Sequence, residues 1–298
     1  MAAITLLDGS IGQEIVKRSG QRATPLWSTQ VMIDSPGIVR EVHRDYFEAG
    51  ATIASTNSYA LHRDRLERAG LAHLFEDLIE RALTEAEAAR DAFGAGRIAG
   101  ALGPLGASYR PDICPPPAEA AVPYAELVSL MDRRVDLFLI ETASSVEQAM
   151  GALIGMAGAT KPVWLSVTVQ DEDGTRLRSG EGVGELLGVV ERYAPAAVLV
   201  NCSRPEAVAA ALNIIMGFGR PFGAYANGFT RISEAFLQDA PTVDALEQRQ
   251  DLGPEAYGDF AMGWVDQGAT IVGGCCEVGP DQIAHLAARL RDAGHRIV

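Results

Sequence analysis

Short apolar, β-branched runs alternate along the chain with longer stretches whose apolar positions recur every three or four residues. The runs are AITLLDG (3–9), ATIASTNSY (51–59), RIAGALGP (97–104), DLFLIETA (136–143), PVWLSVTV (162–169), AAVLVNCS (196–203), PFGAYANGF (221–229) and ATIVGGCC (269–276). Most are continuously apolar rather than alternating, as parallel strands covered on both faces require. Between them, LFEDLIERALTEAEAARDAF (74–93) and SPGIVREVHRDYFEAG (35–50) carry helical spacing, the second stopping at Gly50. Eight strand–helix units without linker, repeat or low-complexity segment predict one α/β domain over residues 1–298. The expected fold is a single (β/α)8 TIM barrel with its site at the C-terminal ends of the strands. A doubly wound sheet is the rival, but DGSIGQ after the first run is not the glycine-rich phosphate turn of such folds.

Polar residues are sparse along the runs and gather at one end of them. Asp8 closes the first, and Ser55, Thr56 and Asn57 fall in the second. Glu141 and Thr142 end the fourth, Asn201 and Cys202 the sixth, Asn227 the seventh, and Cys275 and Cys276 the eighth. A net charge of −14 argues against a nucleic-acid or anionic-membrane partner, since both need basic patches. No apolar run reaches the roughly 18 residues of a membrane helix. MAAITLLDGS lacks the basic start of a secretory signal, so a cytoplasmic location is expected.

Four cysteines in a reducing compartment do not make a disulfide framework, and clustered ones point to metal or catalysis. Strands six and eight feed the same interior layer of such a barrel, so Cys202 and the Cys275–Cys276 pair are placed to converge at its mouth. Zinc takes thiolates at about 2.3 Å in a tetrahedron, and a catalytic zinc keeps three protein ligands and one open position. Adjacent residues of a regular strand point to opposite faces, so the chain has to leave extended geometry at the pair. Gly273 and Gly274 are read as supplying that freedom, and Gly279-Pro280 as opening the next helix. Cys114, in PDICPPP, is read as incidental; a fourth ligand there would make the zinc structural. His43, His62 and His73, with His285 and His295 in the last helix, are read as surface or packing residues.

GGCC after an apolar strand, NC at 201–202 and LLDG near the start resemble the homocysteine S-methyltransferase family. PLWSTQVMIDSPGIVREVHRDYFEAGA (25–51), TNSY (56–59), GALGPLGASY (100–109), IETASS (140–145) and GPEAYGDFAMGWVDQGATIVGGCC (253–276) agree with it. The resemblance implies that Cys202, Cys275 and Cys276 bind zinc. It implies that Asp8 and Glu141 take the ammonium of homocysteine, with backbone around Gly9 and Thr56 on the carboxylate and Asn57 lining the same pocket. It implies methyl transfer from an onium donor to the homocysteine thiolate, giving methionine; S-methylmethionine or S-adenosylmethionine is favoured. Aromatic faces suit such a cation, and Trp27, Tyr59, Tyr109, Tyr225 and Phe229 are candidates, with Asn227 beside them. Thr142 follows the strand-four glutamate where betaine-using relatives carry an aromatic residue, and YANGF (225–229) departs from the run common in S-methylmethionine users. Betaine, a methylcorrinoid on a partner protein, a different acceptor such as selenocysteine, and a non-catalytic zinc or thiol-binding protein stay open as alternatives. The stretch DEDGTRLRSGEGVG (171–184) is expected to fold over the site.

Overall fold

All eight apolar runs become strands of one parallel sheet in the computed structural model, which describes residues 1–20, 26–237 and 246–298. They are β1 (Ala3–Leu6), β2 (Ile53–Ser55), β3 (Arg97–Leu102), β4 (Leu137–Ala143), β5 (Val163–Val167), β6 (Ala197–Asn201), β7 (Phe222–Tyr225) and β8 (Ile271–Val272). A ninth strand, β9 (Arg296–Ile297), was not expected from the sequence; it pairs with Ala3 and Ile4 of β1. The order β2-β3-β4-β5-β6-β7-β8-β1-β9 follows the chain without the reversal that marks a doubly wound sheet. The sheet curls until its ends approach. Leu7 bridges Ile53 in parallel register, and the Thr52 amide donates to the Leu6 carbonyl at 2.8 Å.

Burial on both faces explains why the runs are continuously apolar. Leu7, Ile53, Ala99, Leu137, Leu139, Ala197 and Leu199 point inward and pack on one another. Their neighbours Phe138, Ile140, Val198 and Val200 join the larger cluster under the helices. This is the two-residue period of a pleated strand, with both phases apolar. The helix Phe75–Phe93 buries Phe75, Leu78, Ile79, Ala82, Leu83, Ala86 and Ala89, and Ile38–Ala49 stops at Gly50 with φ 107°. Each fully buried Leu, Ile or Phe of such a face stabilises by roughly 1.5–3 kcal/mol. The last helix ends at Asp292, ahead of Gly294 with φ 79°, so His295 lies beyond it rather than within it. Among the described residues no helix is long and apolar enough to cross a membrane.

Several ladders stop short of the apolar runs, and the polar residues stand in the remainder. Asp8, Asn57, Cys202, Asn227 and Cys275 all lie past the last paired residue of their strands. Beyond β1 and β8 the chain stays sutured: the Gly274 amide donates to the Asp8 carbonyl at 2.9 Å, and the Ser10 amide to that of Val278 at 2.9 Å. Neither Gly273 nor Gly274 adopts positive φ, so conformational freedom is not their role. Space is. A Cβ on Gly274 would stand 2.2 Å from Val278 Cγ1, and one on Gly9, across the seam, 2.2 Å from the Val278 carbonyl oxygen. Tyr257, on the helix Pro254–Asp266, locks the same region by donating to the Gly273 carbonyl at 2.6 Å and accepting from the Ala226 amide at 3.1 Å.

Because the atom opposing Gly9 is backbone and cannot rotate away, Gly9→Ala is expected to destabilise the protein by at least the ~1–3 kcal/mol of an overpacked core site. Urea unfolding of the two proteins measures this; an unchanged midpoint would mean that the seam tolerates a methyl group.

Candidate active site

The three rim thiols meet. Cys202 Sγ lies 2.7 Å from Cys275 Sγ and 3.5 Å from Cys276 Sγ, and all three sulfurs fall within 4.8 Å of one another. Convergence depends on β7, which runs between the two cysteine-bearing strands. The Cys202 amide donates to the Tyr225 carbonyl and the Cys275 amide to the Ala226 carbonyl, at 3.2 and 2.9 Å. Extended geometry is abandoned at the pair, as adjacency requires: β8 ends at Val272, and a turn follows in which the Val278 amide donates to the Cys275 carbonyl at 3.1 Å. Hydrogen bonds from the other two thiols pull the Cys202 thiol well below its ordinary pKa, while sharing with Cys202 pushes Cys275 and Cys276 up. The three sulfurs thus share hydrogen bonds in an arrangement that could hold a metal ion. The set fits a soft, tetrahedral ion: the Cys202–Cys275 separation exceeds the ~2.05 Å of a disulfide, and thiolate sulfur selects such metals. Cys114 stands outside the group, against the helical layer.

The same cavity is lined by Asp8 and Glu141. Asp8 is 3% exposed and accepts from the amide and hydroxyl of Ser55 at 2.5 and 2.9 Å. Burial lifts its carboxyl from 3.8 to about 7, against those two hydrogen bonds. Glu141 accepts from the Tyr225 hydroxyl at 3.0 Å; burial, with Cys202 and Asp8 adding, raises it from 4.5 to about 8. No Lys, Arg or His is among the described residues lining the cavity. Two carboxyl groups and three thiols therefore face one space whose described lining residues include no cation.

Gly9, Trp27, Thr56, Asn57 and Tyr225 line the cavity, as the sequence reading anticipated. Thr56 is spent within the sheet, however: its amide donates to the Ala99 carbonyl at 2.9 Å, and its hydroxyl meets Ser58, Ala99 and Ala101. The backbone amide that the sequence reading offered to the substrate carboxylate is thus engaged within the sheet, as is the hydroxyl. Asn57 keeps a free donor, since Oδ1 accepts from Ser28 while Nδ2 meets only the Met32 thioether at 3.7 Å. Asn227 does not reach the wall; it is buried behind it, its Oδ1 accepting from the Phe229 amide at 3.2 Å. Phe229 is likewise buried away from the lining.

An aromatic enclosure stands over the thiols. Trp27 stacks on Tyr59 at 6.4 Å between centroids and meets Phe236 at 6.0 Å, and Tyr109 meets Phe236 at 5.9 Å. Phe236 was missed from sequence, where one aromatic in a polar loop gives no signal; it is 2% exposed in the turn Glu234–Leu237. Pro25, which opens the PLWS stretch, lies outside the described residues. The 171–184 loop does reach this rim: Arg178, paired with Asp171 at 2.7 Å, lies over the Tyr109 ring at 5.2 Å. Positive φ at residues other than glycine clusters here too. Trp27, Tyr109, Thr142 and Cys202 line the cavity with φ of 49°, 61°, 60° and 49°, and Glu277 follows Cys276 with 62°. Such conformations cost roughly 1–3 kcal/mol each and persist where surrounding contacts over-determine them.

Comparison with known proteins agrees with this geometry. Residues 5–290 match the family model described as Homocysteine S-methyltransferase. The chain is 29% identical over 308 residues to the homocysteine S-methyltransferase of Escherichia coli (strain K12), covering 96% of this chain and 95% of that protein. It is 25% identical to the selenocysteine Se-methyltransferase of Brassica oleracea var. italica, covering 96% and 88%. The metallated crystal structure of the homocysteine methyltransferase MmuM from Escherichia coli superposes with a TM-score of 0.80 at 27% identity, covering 96% of both chains.

Both cavity carboxyls gain pKa on folding, so without a bound cation the native chain keeps protons that the unfolded chain releases above about pH 4. Stability of the metal-stripped, ligand-free protein should therefore fall as pH rises from about 4 to about 8. Asp8→Asn removes one of the two groups and should flatten that decline. Urea unfolding at pH 5 and pH 8 compares the slopes, and equal slopes would show that Asp8 ionises as freely as in water.

Proposed function

The chain belongs to the homocysteine S-methyltransferase family, and from that premise we propose that it transfers a methyl group from a sulfonium donor to the thiolate of L-homocysteine on a zinc centre. The observation that carries this reading is a cavity with three convergent thiols and two buried carboxyls but no basic side chain among the described lining residues. Such a space is built for positive charge: a divalent ion, an ammonium group and an onium methyl. We read the curled sheet, with its Leu7–Ile53 bridge, as a closed (β/α)8 barrel forming one domain over residues 1–298.

Cys202, Cys275 and Cys276 would hold the zinc, which when bound keeps a substrate thiol deprotonated at neutral pH. Asp8 and Glu141 take the ammonium of homocysteine, and each of their raised pKa values falls as that cation settles between them. Ser55 orients Asp8 and Tyr225 orients Glu141. Gly9 and the Asn57 amide, at the same end of the cavity, receive the substrate carboxylate. Trp27, Tyr59 and Tyr109 face the donor with their rings, backed by Phe236, and such rings attract a sulfonium and exclude water. The new sulfur–carbon bond forms as the donor's sulfur–methyl bond breaks, the bonding pair leaving with the donor as a neutral thioether. Opposite charges merge in this step, so a water-poor cavity favours it, and positioning is the protein's main contribution. Both substrates are small molecules; S-methylmethionine or S-adenosylmethionine is the donor this reading favours.

A turnover assay with zinc-loaded protein, homocysteine and separate S-methylmethionine, S-adenosylmethionine, betaine and methylcobalamin tests the donor assignment. Methionine is expected with a sulfonium, and turnover only with betaine or methylcobalamin would overturn it. Cys202→Ala should abolish bound zinc, read by elemental analysis, and turnover, while far-ultraviolet circular dichroism stays that of the wild type. Loss of the fold with the metal would instead mark a structural site. Glu141→Gln is expected to raise the KM for homocysteine at least tenfold and leave that for the donor within about twofold, as removal of one charge-assisted bond predicts. Equal changes in both constants would count against its role.

A further inference from the structure

We propose that Asn201 is a positioning residue that couples the Cys275 thiolate to the strand end carrying Glu141, its side-chain N–H donating to the sulfur. The inference rests on the reading above that the three cysteines hold a metal.

Asn201 ends β6, is fully buried, and makes four side-chain contacts. Its Oδ1 accepts from the Thr142 backbone amide at 2.9 Å and from the Ser166 hydroxyl at 2.8 Å. Its Nδ2 donates to Thr142 Oγ1 at 2.9 Å and faces Cys275 Sγ at 3.9 Å. The orientation of an amide side chain has to be inferred from its partners, and here the partners decide it. A backbone N–H can only donate, so the oxygen must face Thr142. Turning the amide over would set its NH2 group against the Thr142 backbone N–H, two donors with no acceptor between them. The nitrogen is thereby directed at the sulfur.

The same amide holds Thr142 in place. A β-branched residue at φ 60° is a steric outlier, and Asn201 grips both its amide and its hydroxyl. Glu141 is the residue before it. One side chain thus fixes the backbone that aims the carboxylate and touches a ligand sulfur at the opposite wall. Groups of this kind, hydrogen-bonded to a ligand atom and to the scaffold at once, orient a metal ligand and set how much charge it donates. A thiolate is a far better acceptor than a thiol, so the contact gains strength in the ligand's deprotonated form.

Asn201→Asp tests this. The aspartate keeps an oxygen for Thr142 and Ser166 but sets a second acceptor against the sulfur. Zinc affinity at pH 7, read by chelator competition, should fall roughly 10–100-fold. The sulfur-to-metal charge-transfer bands of the cobalt-loaded protein should move to longer wavelength, because a thiolate that loses its donor gives up electron density more readily. Unchanged affinity together with unchanged bands would overturn the proposal. A wild-type protein that takes up neither zinc nor cobalt would defeat the metal-site reading instead, and is distinguished by the same titration. Should the variant fail to fold, nitrogen-15-labelled wild type loaded with cadmium-113 supplies the answer. Scalar coupling from cadmium to the Asn201 side-chain N–H supports the bond, and its absence, with the resonance observed, removes it.

Discussion

The structure turns on the near-contact between the ends of the first and eighth strands. Asp8 and Cys275 lie far apart in sequence, yet the Gly274 amide donates to the Asp8 carbonyl, and a glycine adjoins each of them, Gly9 after Asp8 and Gly274 before Cys275. A Cβ at Gly9 would stand 2.2 Å from the Val278 carbonyl oxygen and one at Gly273 2.5 Å from Leu7 Cβ, so neither position admits a side chain while the segments stay this close. The Asp8 carboxyl and the paired thiols then stand on opposite sides of one suture, and a movement of either is felt by the other. Tyr257 supports the suture from the helical layer and extends it to β7, the strand that the third cysteine must reach across.

Charge is the second organising fact. The chain carries a net charge of −14, but the acidity of the cavity is of another kind. Burial holds Asp8 and Glu141 partly protonated near neutrality, and the thiols share protons among themselves. Those two carboxyls thus retain part of their protons in a buried space, where a nearby cation would displace them. The strained backbone around the cavity belongs to the same economy of position. Trp27, Tyr109, Thr142 and Cys202 are all turned out of the regular strand or helix to present a side chain inward, and the sheet behind them is rigid enough to hold those turns.

Strand placement was legible because both pleat phases are apolar, as at Leu137–Phe138–Leu139–Ile140, in runs too short for a buried helix and rich in β-branched residues. The thiol cluster was legible because Cys202 and the Cys275–Cys276 pair end strands of the same parity. What escaped the sequence depended on distances between segments. Gly273 and Gly274 were assigned to conformational freedom, whereas their neighbours across the seam leave no room for a side chain. Asn227 occupies a strand end like the true lining residues, yet its backbone turns it behind the wall. Phe236 lies in a loop whose path only the folded chain reveals, and β9 is too short to carry a pattern. Thr56 sits at the cavity, but the sheet has already consumed its hydrogen bonds.

With no basic group among the described lining residues, the cavity is hostile to anions. A molecule bearing several carboxylates would meet Asp8, Glu141 and the three thiols with nothing there to offset its charge, and like charges repel strongly in a low-dielectric space. Under the function proposed above, an acceptor thiol carrying an amine is therefore favoured over one carrying carboxylates alone.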